Sequence, residues 1–212
     1  MIEIKHKTTG KVLHKVNNDS LRGCRIKCID LRGANFQNQD LSGSSFIGCS
    51  LSEADLRTTN LSNAKIINCV IQRGDFTNAN MANADLSDNV LDVSKFVNVN
   101  ATGCKFRHSK INGADFTGGK FDGSDFFFCE LRSNFTAASL ISVNFFGADM
   151  SNADFTRADL RKSIMTDGKI LGASFEYAKM QESIGTNGQP WGFSNKSLPK
   201  KPWWQIWSRA AM

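Results

Sequence analysis

An all-β solenoid is the fold class this sequence predicts, on two observations. A large apolar residue stands at every fifth position from Leu21 to Leu131, Ala101 alone excepted, and the beat resumes at Phe135 and runs through Met180. Taken every fourth, these residues sort into columns of distinct chemistry. One column reads Phe36, Leu56, Phe76, Phe96, Phe116, Phe135, Phe155, Phe175, and the one before it reads Leu31, Leu51, Ile71, Leu91, Ile111, Leu131, Met150, Ile170, with no aromatic. A period of five fits neither a helix nor an alternating strand. A coil of four such units, about twenty residues, stacks like on like. The step from Leu131 to Phe135 is one residue short, so it trims one corner and keeps the column.

The chain divides into three parts. Residues 1–19 alternate, with Ile2 and Ile4 on one arm, Val12, His14 and Val16 on the other, and Thr8-Thr9-Gly10-Lys11 between them. That pattern predicts a β-hairpin covering the open first coil, with Lys5, Lys7, Lys11 and Lys15 discouraging edge-to-edge association. His6 and His14 are expected across the hairpin from each other, without the third ligand a metal would need. Residues 20–181 form the repeat body. Residues 182–212 break the beat, and they hold all three prolines and all four tryptophans. Trp191 and Phe193 are expected to fold over the last coil, and the stretch from Pro202 to Met212 fits a short helix with Trp203, Ile206 and Trp207 on one face and Trp204 more exposed.

Within the body the residue two before each apolar centre must be small if it also points into a narrow tube. Ala34, Ala54, Ser44, Gly74 and Gly119 stand there, as do Cys24, Cys49, Cys69, Cys104 and Cys129. Five of six cysteines on one structural position behave as small hydrophobes. No CxxC pair occurs, Cys28 faces out, and Cys49 and Cys69 are expected as reduced thiols on adjacent coils. Ala101 leaves space that Val99 is expected to help fill.

Runs such as Ala54-Asp55-Leu56-Arg57, Ala84-Asp85-Leu86-Ser87, Ala114-Asp115-Phe116-Thr117 and Ala153-Asp154-Phe155-Thr156 resemble the pentapeptide-repeat family, whose consensus is A(D/N)LXX. The resemblance covers residues 21 to 180 and thirty-three consecutive units. It implies a right-handed quadrilateral parallel β-helix of about eight four-unit coils, roughly 40 Å long at the usual strand spacing. Some members of that family protect DNA gyrase or topoisomerase IV by imitating the DNA duplex, and they are rods with a strongly acidic face, dimerised through the C-terminal end.

Charge argues against that activity here. Residues 1 to 20 carry four lysines against two acids, the body carries eighteen basic against seventeen acidic residues, and the tail carries four basic residues against Glu182. Basicity sits at the ends, and the long walls are near neutral. Catalysis lacks a basis as well. A tube filled along its axis offers no pocket, and His6, His14 and His108 make no triad. The aspartates before each centre read as turn acceptors, not paired acids. Gly119-Lys120 is followed by Phe121 where a phosphate loop needs Ser or Thr, so no cofactor is implied. Lys105, Arg107, His108 and Lys110 form a modest basic cluster, and without interleaved exposed aromatics it does not make a nucleic-acid face.

The reading that remains is a non-catalytic interaction scaffold with an unidentified protein partner. Exposed apolar exceptions to the repeat are Ile47, Ile67, Val97, Phe127, Phe128 and Phe146, and the last three are expected to form a patch near the trimmed corner. Trp203, Trp204 and Trp207 are the second candidate contact. Three uses stay open for that tail: a cap on its own solenoid, a homodimer contact, or a contact to another protein or a membrane surface. No apolar run is long enough to cross a bilayer and the start lacks a secretory core, so the expected location is the cytoplasm.

Overall fold

The computed structural model describes residues 1–191, and these form a four-sided parallel β-helix closed at its first coil by a hairpin. In the hairpin β1 (Ile2–Lys5) pairs antiparallel with β2 (Val12–Val16). β3 (Arg25–Lys27), β4 (Ser45–Ile47) and β5 (Lys65–Ile67) stack in parallel on one wall, and isolated bridges continue the ladder up to Ile164 with Ile184, at a spacing of twenty residues that falls to nineteen across the trimmed corner, as in Asp125 with Asn144.

Each side of the square is one five-residue unit, and two local devices turn the corners. The residue two after each centre lies in the left-handed region, as Asn38 at φ 60°, Asn78 at 60° and Gly123 at 66° show. That residue is the third of a four-residue turn, closed where Ala34 N donates to Leu31 O at 3.0 Å and Ala79 N to Phe76 O at 2.8 Å. Glycine and asparagine tolerate this backbone best. The second device explains the Asp or Asn before each centre. Its carboxylate or amide oxygen accepts the N–H two residues on: Thr77 N to Asp75 at 3.0 Å, Thr117 N to Asp115 at 3.0 Å, Phe127 N to Asp125 at 3.1 Å, Thr156 N to Asp154 at 2.8 Å. The expected role of these aspartates as turn acceptors is therefore what the geometry shows.

The bore is filled by rings. Phe76, Phe96, Phe116, Phe135, Phe155 and Phe175 stack face to face at 4.7, 4.9, 4.4, 5.0 and 5.1 Å, close to the coil rise. With Phe36 they are all buried. Phe106, Phe126 and Phe145 make a second ladder on the opposite wall, and the two ladders meet edge to face across the tube, as Phe116 and Phe126 do at 86°. The column survives the trimmed corner, because Phe116 N donates to Asn134 O at 2.7 Å. Of the residues two after each centre from Leu21 to Met180, Ser133 at that corner alone takes no left-handed backbone, and its hydroxyl holds Ala114 N at 3.1 Å. Ala101 and Val99 are both buried, and the Phe121 ring in the next coil leans so closely over Gly119 that a Cβ there would stand 2.5 Å from it.

One inward line is polar. Asn89 is buried, accepts Cys69 N at 2.7 Å and donates to Ile66 O at 2.6 Å, while Ser109 takes Asn89 N and donates to Leu86 O. Cys49 N points at the Cys69 sulfur at 3.3 Å, and all six cysteines are free. Burial pushes the Cys129 thiol up to about 12 and lifts Cys104 well above its ordinary value, so these act as packing groups.

The ends differ from the simplest expectation. His14 faces Ile4, not His6, because the register that pairs Ile2 with Val16 and Glu3 with Lys15 sets Ile4 opposite His14, and it slips only beyond that pair, between Ile4 and Lys5. His6 instead bridges to Ala34 on the first coil, with Lys7 N donating to Gly33 O and Asn35 N to Lys5 O. The hairpin is thus stitched to the tube by backbone bonds as well as by the burial of Ile4. At the other end pairing passes Met180 to Ile184, and the centre position there is Gly185. The Trp191 indole occupies the space a Gly185 side chain would take, since a Cβ would lie 1.3 Å from its Nε1, and it meets Phe175 edge-on at 6.2 Å. Phe193 and the proposed helix after Pro202 lie outside the described residues.

Candidate functional site

Because inward positions are spent on packing, chemistry open to a partner must come from the positions flanking each centre. On the wall centred on Phe106, Phe126 and Phe145 those positions bring five side chains together. Phe127 and Phe146 follow successive centres, and the missing residue between them leaves their backbones in register, with Phe128 N donating to Phe146 O at 2.9 Å. Their rings stack at 5.6 Å and 13°. Phe128, on the left-handed turn residue at φ 53°, turns its ring over Gly147, where a Cβ would stand 2.9 Å away. That glycine is what admits the ring. Phe127 and Phe128 meet at 4.7 Å, and Phe128 remains about half exposed, at 51%.

The coil before adds the polar edge. His108 lies edge-on to Phe127 at 5.4 Å, and the Arg107 guanidinium sits 4.8 Å over the same ring while its Nε reaches Asp125 at 3.4 Å. This alters one expectation. Read along the chain, the basic cluster has no aromatics between its charges, but across the coil Phe127 and Phe128 stand beside Arg107 and His108. The cluster's charge is nonetheless locally matched, because Lys110 pairs with Glu130 at 3.5 Å as Arg107 does with Asp125.

The other walls repeat that matching. Arg57 pairs with Asp55, Arg132 with Asp149 and Arg161 with Asp159, each at 2.7 Å. Burial works to raise the Asp149 carboxyl, but hydrogen bonds from Ser151 and Arg132 outweigh it and hold the pKa at about 2. Among the described residues these walls therefore carry both signs side by side. A cleft of about 430 Å³ lies where the hairpin meets the tube, lined by His6, Lys11, Asp30, Arg32 and Glu53. His6 there accepts at Nδ1 from the N–H groups of Thr8 and Thr9. Among the described residues no three His, Cys, Asp or Glu side chains are placed to share a metal ion.

Of the apolar exceptions read from sequence, Phe127, Phe128 and Phe146 come together, Ile47 and Ile67 pair on β4 and β5, and Val97 is partly buried. Trp203, Trp204 and Trp207 lie outside the described residues. Sequence reasoning passed over Val70, Val93, Ile164, Leu171 and Tyr177, all exposed. Each sits one before, one after or two after a centre, so the same offset rule finds them.

A family model described as pentapeptide repeats matches eight copies in this chain, over residues 29–66, 59–88, 94–126 and 132–167, more than half its length. No curated protein matches the chain. Among solved structures, a trypsin-treated variant of QnrB1, a plasmid-mediated fluoroquinolone resistance protein, is 20% identical over 76% of this chain and 80% of that one, with a TM-score of 0.53. HetL, a pentapeptide repeat protein involved in heterocyst differentiation regulation from the cyanobacterium Nostoc sp. strain PCC 7120, is 18% identical over 82% of this chain and 94% of that one, with a TM-score of 0.34.

Proposed function

We propose that this chain, which belongs to the pentapeptide-repeat family, works as a non-catalytic protein-interaction module whose contact surface centres on Phe127, Phe128 and Phe146. One observation carries the reading. At these outward positions the fold requires no ring, and the backbone lock is intact beneath them, since Asp125 and Asn144 hold Phe127 N and Phe146 N at 3.1 Å each. The rings are therefore surplus to folding. Aromatic rings flanked by an arginine are the usual energetic centre of a protein interface. Family members are generally structural or interaction proteins, which supports a scaffold reading.

Imitation of a DNA duplex, and with it protection of a topoisomerase, finds less support. It needs a continuous negative face, and here Asp55, Asp125, Asp149 and Asp159 each have a cationic partner. The test is affinity capture from native lysate with the full chain and with Phe127→Thr/Phe128→Asn/Phe146→Thr. A stoichiometric protein held by the parent and lost by the variant is expected. Equal recovery by both, or none by the parent, sinks the proposal.

A further inference from the structure

The aromatic corner lies on a wall that differs in charge and shape above and below it. Above, the coil centred on Phe106 shows Lys105, Arg107 and His108, all exposed. Below, the coil centred on Met165 shows Ile164, Thr166 and Asp167, with no base. Parallel bridges keep the position before each centre in line, from Lys105 through Asp125 and Asn144 to Ile164. Backbone bonds keep the corner positions in line as well, as His108 N donates to Phe127 O, Phe128 N to Phe146 O and Gly147 N to Thr166 O. The outward side chains thus form a grid with one row per coil, about 4.8 Å apart. On its corner line Phe128 and Gly147 are neighbours, one a projection and the other bare. The Phe128 ring leans down off its own row, since its centroid is 6.3 Å from the His108 ring above, more than one coil rise, and it rests against Gly147 below.

A wall of this kind can meet a second copy of itself across a two-fold axis. When the axis runs along the strands, the tubes lie antiparallel, each side chain keeps its column and the order of the coils is reversed. An axis placed between the coils of Phe126 and Phe145 sets Phe128 of one copy opposite Gly147 of the other, His108 opposite Asp167, and Phe127 opposite Phe146. Because each Phe128 ring leans one row down its own wall, the two rings lie one above the other across the axis and do not collide. Lys105 then faces Ile164, Arg107 faces Thr166 and Asp88 faces Asn187, so no like charges meet. Other placements lose this match. Moving the axis onto the Phe126 coil sets Asp88 against Asp167, moving it onto the Phe145 coil sets Phe128 against Asp167, and running it along the tube sets Arg107 against Lys105.

We infer that the occupant of the aromatic corner is a second copy of this chain, packed wall to wall and antiparallel with the axis between the Phe126 and Phe145 coils. Within the described residues six coils overlap, from that of Leu86 to that of Gly185. The shared face is roughly 30 Å long and on the order of 500 Å² per copy, which places the dimer among weak, concentration-dependent associations. This dimer rests on the corner being a contact surface, and it names what that surface meets. Self-association and capture of another protein are separate readouts. A monomer that captures a foreign protein through the corner ends the dimer and leaves the earlier reading standing.

Sedimentation equilibrium of the full chain from about 1 to about 500 μM tests the contact, and a monomer in equilibrium with a dimer, Kd on the order of tens of micromolar, is expected. Phe128→Asn, which puts a residue suited to the left-handed backbone there, should weaken the dimer about tenfold or more. His108→Asp sets a carboxylate against Asp167 twice in the symmetric dimer and should weaken it about tenfold. Exchanging the two residues, His108→Asp/Asp167→His, should restore the dimer to within about threefold of the parent. Within one chain these residues stand three coils apart, roughly 14 Å, so restoration arises only between chains. A chain that stays monomeric over the whole range overturns the inference. So does a dimer indifferent to Phe128→Asn, or an exchanged pair as weak as His108→Asp alone.

Discussion

Two opposite walls of this tube share a backbone and differ in what they show to solvent. Inside, both carry phenylalanine ladders, Phe116 to Phe135 to Phe155 on one and Phe106 to Phe126 to Phe145 on the other, buried alike. Outside, the first presents Thr117, Thr136 and Thr156, each donating a bond from its N–H to Asp115, Asn134 or Asp154. The second presents Arg107, Phe127 and Phe146, and the same bond runs from Phe127 N to Asp125 and from Phe146 N to Asn144. The turn lock does not depend on the outward side chain. Sequence at those positions is thus free for another purpose, and the second wall uses that freedom to bring three rings together.

Mutations can break the comparison where it claims a difference between inside and outside. Phe116→Ala removes a ring stacked on two neighbours, and about 3–5 kcal/mol of stability should go with it, read from chemical denaturation. The lock itself should be worth the same on both walls. Asp115→Ala removes the bonds from Thr117 and Asn134, and Asp125→Ala those from Phe127 N and Asn144 with the Arg107 pair, so each is expected to cost about 1–3 kcal/mol, and a several-fold difference between them would show that the ring contributes to folding.

Acid should weaken the polar walls in a defined window. Asp149 is held at about 2, and Asp55 and Asp159 are lowered by hydrogen bonds from Arg57 and Arg161. A depressed carboxylate contributes stability that is full above its unfolded pKa, about 4, and lost as pH falls toward the folded value. Stability should therefore decline from about pH 4 to about pH 2, and Arg132→Gln should lower it at neutral pH with the two curves converging near the acid end. Flat stability across that window would remove these pairs from the account.

The smallest effects concern misplaced groups. The Ser124 and Ser163 hydroxyls are buried with no hydrogen-bond partner among the described residues, so Ser124→Ala should be neutral or stabilising by up to about 1 kcal/mol. Phe128→Asn exchanges a bulky residue at φ 53° for the type that occupies Asn63, Asn68, Asn78, Asn83 and Asn98. A gain of a few tenths of a kcal/mol is expected, visible as a rise in Tm.

The coil was legible because a period of five leaves one large inward residue per side, so the sequence alone places Phe116 and Phe135 in one column. The patch was legible for the same reason, since Phe127, Phe128 and Phe146 violate fixed offsets. What escaped depended on strand register or on neighbours about twenty residues apart. The hairpin register that pairs Ile2 with Val16, and so sets His14 opposite Ile4 and not His6, has no local signature. Gly185 reads as the end of the beat, and nothing in its own sequence tells that Trp191 returns to fill its place. The stacking of Arg107 on Phe127 appears only once the coil sets them side by side.

The central claim is that the rings on the aromatic wall serve recognition and not folding, and equilibrium unfolding of Phe127→Thr/Phe128→Asn/Phe146→Thr beside Phe116→Ala tests it most directly. The account predicts a loss under about 1 kcal/mol for the triple outer variant against about 3 kcal/mol or more for the single inner one. A triple variant destabilised as much as Phe116→Ala would contradict it.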